Sequence, residues 1–207
     1  AAAAAIYGGE DPGYVAAFRL LSTPMVLAGV GILLSIVGIY MVRTKEDASM
    51  GQLLNALRIG IYGSSVLIAV AAFIVCWLLL GGISEEMPFF KWWGVWIAIM
   101  AGLVAGNIIG FATEYYTSYD YSPTKKISEQ AETGPATVII AGVAAGMKST
   151  WASLATIIVA ILVAFIAAGG KHEFLLGLYG VGIAAVGMLA TLGITLATDA
   201  YGPIADN

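Results

Sequence analysis

The chain is a series of long apolar runs separated by short polar segments. Four of the runs contain no charged residue, and a fifth contains only Lys148. A helix needs about 20 apolar residues to cross the hydrocarbon core of a bilayer, and none of the runs alternates as a membrane barrel strand does. The pattern therefore predicts an all-α, multi-pass membrane protein. Its five full spans are predicted at 20–42, 59–83, 92–113, 137–170 and 174–198 of a single transmembrane domain, 1–207.

Composition supports a membrane protein and excludes several other classes. Sixty per cent of the 207 residues are hydrophobic and 11 % are charged, whereas a soluble domain carries about a quarter charged residues. The lipid bilayer is therefore the expected surroundings, and the absence of a basic run gives no sign of a nucleic-acid partner. The single cysteine, Cys76, lies inside an apolar run, which predicts a small buried hydrophobe rather than a disulfide or a metal cluster.

The charges of the loops predict the orientation. The loops 43–58 and 114–136 fall on one side and carry five Lys and Arg residues, against three on the other side. The side with more positive charge is expected to be cytoplasmic. The C-terminal residues should therefore emerge into the cytoplasm.

The run that contains Lys148, 137–170, is too long for a simple crossing. Its 34 residues would extend about 51 Å as a helix, against a hydrocarbon core of about 30 Å. If Lys148 reaches the cytoplasmic interface, residues 136–147 stand above the bilayer and must be covered by other protein. Gly134-Pro135 is a suitable start for this helix, with proline in the first turn.

Two glycine rows predict close packing between helices. Small residues on one face let helix backbones approach each other in lipid. The rows are formed by Gly102, Gly106 and Gly110, and by Gly142 and Gly146.

Glu114 continues the first glycine row and should face protein, where a carboxylate needs a partner or water. Lys148 is one candidate partner, because both residues are predicted near the cytoplasmic interface. Lys125 and Lys126 are equally available, and a solvated Glu114 would need no cation at all.

The last span runs directly into two carboxylates. Asp199 follows twenty-five uncharged residues, and Asp206 lies seven residues further on, on the same helical face. Gly202-Pro203 is expected to distort the helix between them. Two interpretations are open. Either the carboxylates form part of a site, since a charge at that depth is otherwise costly, or they mark a helix end that has reached water. Carboxylates are natural Mg²⁺ ligands, but two of them cannot complete a polyphosphate site.

Three sequence blocks resemble the membrane-integral, ion-pumping inorganic pyrophosphatases. They are "GNIIGFATEYYTS" (106–118) with "YSPTKKI" after it, "TGPATVIIAGVAAGMKST" (133–150) and "YGVGIAAVGMLATLGITLATDAYGPIADN" (179–207). The blocks occur in the family's order and spacing across roughly the second half of the chain. The third block is highly specific, whereas residues 14–80 agree only in hydropathy and position.

The resemblance implies a larger bundle of about sixteen transmembrane helices in two concentric rings. In lipid, each helix makes its backbone hydrogen bonds internally. The protein would work as a homodimer, and this chain would supply the end of the sixth helix through the eleventh. The implied activity is hydrolysis of pyrophosphate on the cytoplasmic side, coupled to outward pumping of H⁺ or Na⁺. The expected location is a prokaryotic inner membrane, or a vacuolar-type membrane in a eukaryote.

The resemblance also implies site residues. Asp199 matches the first aspartate of the family's "DAYGP" motif, which binds Mg²⁺ with pyrophosphate. Asp206 and Asn207 match the start of the next motif and are weaker candidates for metal ligands. K⁺ is a further cofactor of some family members, and the family's catalytic residues lie outside these 207 residues. The chain alone is therefore expected to be inactive, and its gene is expected to continue with "AGG" and with the remaining helices of the parent protein.

Two other functions compete with this interpretation. A secondary transporter or channel subunit would also use broken helices and membrane carboxylates, but its substrate site would lie near mid-membrane. A structural membrane subunit without chemistry would use the glycine faces for packing alone.

Overall fold

The helices account for nearly all of the structure, a computed structural model that describes residues 12–43, 50–85 and 89–206. Short 3₁₀ turns, Gly81–Glu85 and Gln130–Glu132, follow the second and fourth helices. No strand occurs within the described ranges, which confirms the all-α class. The helices are α1 (Pro12–Met41), α2 (Met50–Leu80), α3 (Trp92–Thr117), α4 (Ser122–Glu129), α5 (Pro135–Ala167), α6 (Phe174–Leu189) and α7 (Leu192–Asp206).

Five helical stretches are long and apolar enough to cross a bilayer, which confirms the multi-pass architecture. Each predicted span overlaps one of them, and the third stretch also includes α4. The stretches are Val15–Met41, Asn55–Ile83, Trp92–Glu132, Pro135–Ala167 and Phe174–Tyr201.

The core lies around α3, which packs against α2, α5 and α6. Its first turns are held to α2 by aromatic contacts. Trp92 and Trp96 both meet the ring of Phe73 edge-on, and the Trp96 indole N–H donates to the Ala69 carbonyl at 3.1 Å. Cys76 lies fully buried in the same core, as its apolar surroundings predict.

Helix α5 begins at Pro135, where the sequence predicted a start. Gly134 has a φ of +132°, a conformation that a residue with a Cβ rarely adopts, and Pro135 needs no N–H bond at this position. The 33 residues of α5 extend about 50 Å. Ile139, Ile140 and Val143 are exposed among the described residues, so their coverage by other protein stays a prediction.

The last membrane stretch is two helices rather than one. Helix α6 ends at Leu189, a turn occupies 190–191, and α7 begins at Leu192. The sequence did not predict this break. At Gly202-Pro203, where the sequence predicts a distortion, the helix assignment of α7 is continuous, and a distortion within the helix there stays a prediction.

Helix α1 stabilises the break between α6 and α7. The buried Ser35 hydroxyl donates to the Ala190 carbonyl at 3.1 Å, replacing a helical bond that the break removes. Close approach requires glycine on both sides of this contact. A Cβ on Gly31 would lie 3.1 Å from the Ala190 Cβ, and one on Gly193 would lie 2.7 Å from the Ser35 Cβ.

The first glycine row contacts α6 over part of its length. A Cβ on Gly102 would collide with the Ala184 carbonyl, and one on Gly106 would lie 3.3 Å from the Met188 carbonyl oxygen. At the other three glycines a Cβ would meet no described atom within 4 Å, so close packing there stays a prediction. These are Gly110, Gly142 and Gly146.

Candidate metal and cation site at the end of α7

A cleft of about 490 Å³ lies between α2, α3 and α7, with charged and polar residues among its lining. We call it the α7 cleft. Three charged side chains line it, one from each helix: Arg58, Glu114 and Asp199. Its other polar side chains are Tyr62, Asn107 and five threonines, at 113, 117, 191, 195 and 198. The cleft is the leading candidate for a functional site because it brings Asp199 together with charged residues from two neighbouring helices.

Arg58 and Glu114 form an ion pair at one wall of the cleft. The Arg58 guanidinium donates from Nη2 to Glu114 Oε1 at 2.5 Å and from Nε to Oε2 at 3.4 Å. Nη2 also donates to the Tyr121 hydroxyl at 2.8 Å. Because Tyr121 immediately precedes α4, this network joins α2, α3 and the start of α4.

Lys148, one of the candidate partners of Glu114 left open by the sequence, makes no ion pair with it among the described residues. Lys148 lines a different cleft, between α4 and α5. The cationic partner was missed because Arg58 was counted as a loop residue, whereas α2 already begins at Met50. The sequence signal that could have identified Arg58 as the partner was its position. It directly precedes the apolar run 59–83, on the same predicted side of the membrane as Glu114.

Asp199 lies on α7 with the threonine face of that helix. Thr195 and Thr198 precede it by four and one residues and share one side of the helix with it, and Thr191, in the turn before α7, lines the same cleft. The structure brings Asp199 into the same cleft as Glu114, which the sequence alone did not predict. Asp206 ends α7, but its side chain and the whole of Asn207 lie outside the described residues.

A hydrogen-bonded pair from α2 and α3, Ser65 and Asn107, holds Asn107 in the lining of the cleft. Asn107 Nδ2 donates to the Ser65 hydroxyl and to the Leu103 carbonyl, both at 3.1 Å. Ser65 donates in turn to the Ile61 carbonyl at 2.8 Å. The pair satisfies polar groups inside the membrane stretch and orients Asn107 beside the cleft.

The donor types at Asp199 suit a hard divalent cation, but the ligand set is incomplete. A carboxylate oxygen is what Mg²⁺ prefers. Among the residues whose side chains are described, no three His, Cys, Asp or Glu residues come close enough to hold a metal ion together. Asp199 would provide at most one ligand to such a metal, and a site for a metal with a polyphosphate would need ligands from beyond this set.

The fold and the cleft together define a multi-pass helical membrane protein with a charged site at one end of a broken helix. The family model described as inorganic H⁺ pyrophosphatase matches residues 1–207, and the chain belongs to this family. This confirms the resemblance carried by the three sequence blocks.

Curated relatives agree with the family assignment. The chain is 52 % identical over 193 residues to a protein of Bacteroides thetaiotaomicron named "Putative K(+)-stimulated pyrophosphate-energized sodium pump"; the match covers 92 % of this chain and 25 % of the relative. It is 37 % identical over 184 residues to the "K(+)-insensitive pyrophosphate-energized proton pump" of Methanosarcina mazei, covering 89 % and 26 %. It is 35 % identical over 191 residues to the "K(+)-stimulated pyrophosphate-energized sodium pump" of Thermotoga maritima, covering 91 % and 25 %. The chain thus spans about a quarter of the length of these relatives.

Proposed function

We propose that this chain is part of a membrane pump that hydrolyses pyrophosphate on the cytoplasmic side and drives Na⁺ or H⁺ outward. The observation that carries the proposal is the family match over the whole chain. The α7 cleft supports it, because a carboxylate at the end of a membrane helix lies where a soluble, metal-bound phosphate could reach it.

Asp199 is the proposed Mg²⁺ ligand within this chain. When bound, the metal would neutralise pyrophosphate and polarise its oxygens. Asp199 would hold the metal, and the Arg58–Glu114 pair would fix the cleft wall opposite α7. Asp206 and Asn207 are weaker candidates for the same metal cluster, and other helices of a homodimeric parent would supply the remaining ligands and the base that activates water.

Na⁺ is the more strongly supported transported ion. Identity to the Bacteroides relative, named a sodium pump, is higher than identity to the Methanosarcina relative, named a proton pump. The name of the Bacteroides relative also includes "K(+)-stimulated", which supports stimulation of this pump by K⁺. We place the protein in a prokaryotic inner membrane.

The broken α6–α7 helix also fits the competing secondary transporter, because transporters bind substrates at such interruptions. Family membership favours hydrolysis, since the three relatives are all named as pyrophosphate-energized pumps.

The test uses the complete protein, meaning the full polypeptide that its gene encodes. Inverted vesicles that contain it should release phosphate from Mg²⁺-pyrophosphate. They should also accumulate ²²Na⁺ in proportion to the phosphate released. A pH-sensitive dye in the same vesicles separates Na⁺ from H⁺ transport, and empty vesicles are the control. Ion transport that proceeds without pyrophosphate, in vesicles that release no phosphate, would contradict the proposal in favour of the transporter.

A further inference from the structure

A second cleft, of about 550 Å³, lies between α4, α5 and the last turn of α3. We call it the lysine cleft, because Lys126 of α4 and Lys148 of α5 both line it. Glu129 is the third charged residue in its lining. Two positive charges and one negative charge leave the cleft with a net charge of about +1, so an anionic group with a single charge would balance it.

Neither lysine of this cleft is paired with a carboxylate in the part of the chain that the structure describes. The one ion pair there joins Arg58 to Glu114. Lys148 is also the only charged residue of the apolar run 137–170, and a cation in such a run needs an anion or water. The two lysines are therefore available to an anion that comes from outside these residues.

Hydroxyl groups in the lining add hydrogen-bond donors to the two cations. Tyr115, Tyr116 and Ser122 line the lysine cleft, and a hydroxyl group can donate to an anionic oxygen. The Tyr115 ring packs against the rings of Tyr116 and Tyr121, with centroids 5.3 and 5.2 Å apart. These ring contacts hold the α3 wall of the cleft in place. The donor set therefore suits a phosphate group.

An apolar groove of about 480 Å³ lies between α3 and α5, deeper in the membrane stretch. Its lining residues fall within 97–108 on α3 and 155–163 on α5, and we call it the α3–α5 groove. On each helix, seven residues separate the end of this lining from the lysine cleft. Seven residues are two helical turns, or about 10 Å, and they return to nearly the same helix face. The cleft and the groove therefore follow one seam between the two helices.

The chemistry changes along this seam as it does along a lipid molecule. Thr156 is the one polar side chain among the described residues of the groove, and its hydroxyl donates to the Ala152 carbonyl at 2.8 Å. The groove therefore offers hydrocarbon contacts to its occupant. Between the groove and the cleft, Trp151 is exposed three residues after Lys148. Tryptophan is enriched at the membrane–water interface, which is the depth of a lipid phosphate.

From these observations we propose that the seam between α3 and α5 binds an anionic phospholipid, with its phosphate in the lysine cleft and an acyl chain in the α3–α5 groove. Basic pockets between membrane helices bind anionic lipid headgroups in this way. A soluble phosphate would fill the cleft but not the groove. Another helix would fill the groove, but membrane helices rarely carry the anion that the two lysines require. The site is separate from the α7 cleft and does not depend on pyrophosphate hydrolysis.

Phosphatidylglycerol, an anionic phospholipid, is the probe that tests the proposal. Native mass spectrometry of the complete protein, purified in detergent and depleted of lipid, should show that it binds phosphatidylglycerol at least about tenfold more tightly than zwitterionic phosphatidylcholine. Glycerol 1-phosphate at equal concentration should not displace the lipid, because it has no acyl chain. Displacement by glycerol 1-phosphate would show that a free anion occupies the cleft. Equal affinity for the two lipids would show that the seam is covered or unselective, and either result would overturn the proposal.

Two variants with matched controls locate the lipid. Replacing both Lys126 and Lys148 by glutamine should lower the affinity for phosphatidylglycerol at least about tenfold. Lys125→Gln should leave the affinity unchanged, since Lys125 is an exposed lysine of α4 that does not line the cleft. Val159→Trp fills the groove without changing the charge and should also weaken binding, whereas Leu162→Trp, at an exposed position of α5 outside the groove, should not. Unchanged affinity in the double lysine variant or in Val159→Trp would overturn the proposal.

Discussion

Replacing Asp199 by asparagine in the complete protein is expected to abolish Mg²⁺-dependent pyrophosphate hydrolysis while the protein still assembles in the membrane. The substitution keeps the size of the side chain but removes the charge that a hard divalent cation uses. Loss of a metal ligand removes several kcal/mol of charge stabilisation in the transition state. The rate should therefore fall at least about a hundredfold. Phosphate release by purified protein measures the rate, and size-exclusion chromatography in detergent measures assembly.

Asp120→Asn is the matched control for this experiment. Asp120 is an exposed aspartate in the turn between α3 and α4, and it does not line the α7 cleft. Its replacement should leave the rate unchanged. Near-normal turnover of the Asp199→Asn variant would show instead that Asp199 is a solvated helix end without a catalytic metal.

Gly102→Ala is expected to destabilise the helix bundle strongly. The added Cβ would meet the Ala184 carbonyl, which is backbone of α6 and cannot rotate away. Helices α3 and α6 would have to separate, and overpacking of this kind costs roughly 1–3 kcal/mol. Thermal unfolding of the complete protein, followed by fluorescence-detected size exclusion, should show a clear decrease in the midpoint temperature.

Gly110→Ala, on the same helix, is the comparison for this prediction and should lower the midpoint temperature less than Gly102→Ala does. No described atom lies within 4 Å of a Cβ at this position, so the added methyl group meets no backbone of α6. Equal midpoints for Gly102→Ala and the wild type would contradict the close packing of α3 on α6.

Features that depend only on neighbouring residues in the chain could be predicted from the sequence. Long uncharged runs predicted the membrane helices, since crossing a bilayer requires a fixed length of apolar residues. Gly134-Pro135 predicted the start of α5, because both residues act on the backbone at their own positions. The burial of Cys76 followed from its apolar neighbours.

Features that depend on distant residues could not be predicted in this way. The break at 190–191 carries no proline and is stabilised by Ser35, which lies 155 residues earlier in the chain. Glu114 binds Arg58 rather than a nearer lysine because α2 packs against α3. The position of Asp199 in the same cleft as this ion pair likewise follows from the packing of α7, which no local pattern encodes.

The location of the bound metal tests directly whether Asp199 holds it. Crystals of the complete protein with Mn²⁺ and imidodiphosphate, a non-hydrolysable pyrophosphate analogue, would show the metals by anomalous scattering. We expect a Mn²⁺ peak within coordination distance of an Asp199 carboxylate oxygen, with the analogue bound at the cytoplasmic end of α7. Mn²⁺ and the analogue bound together elsewhere, with Asp199 in contact only with water, would contradict it.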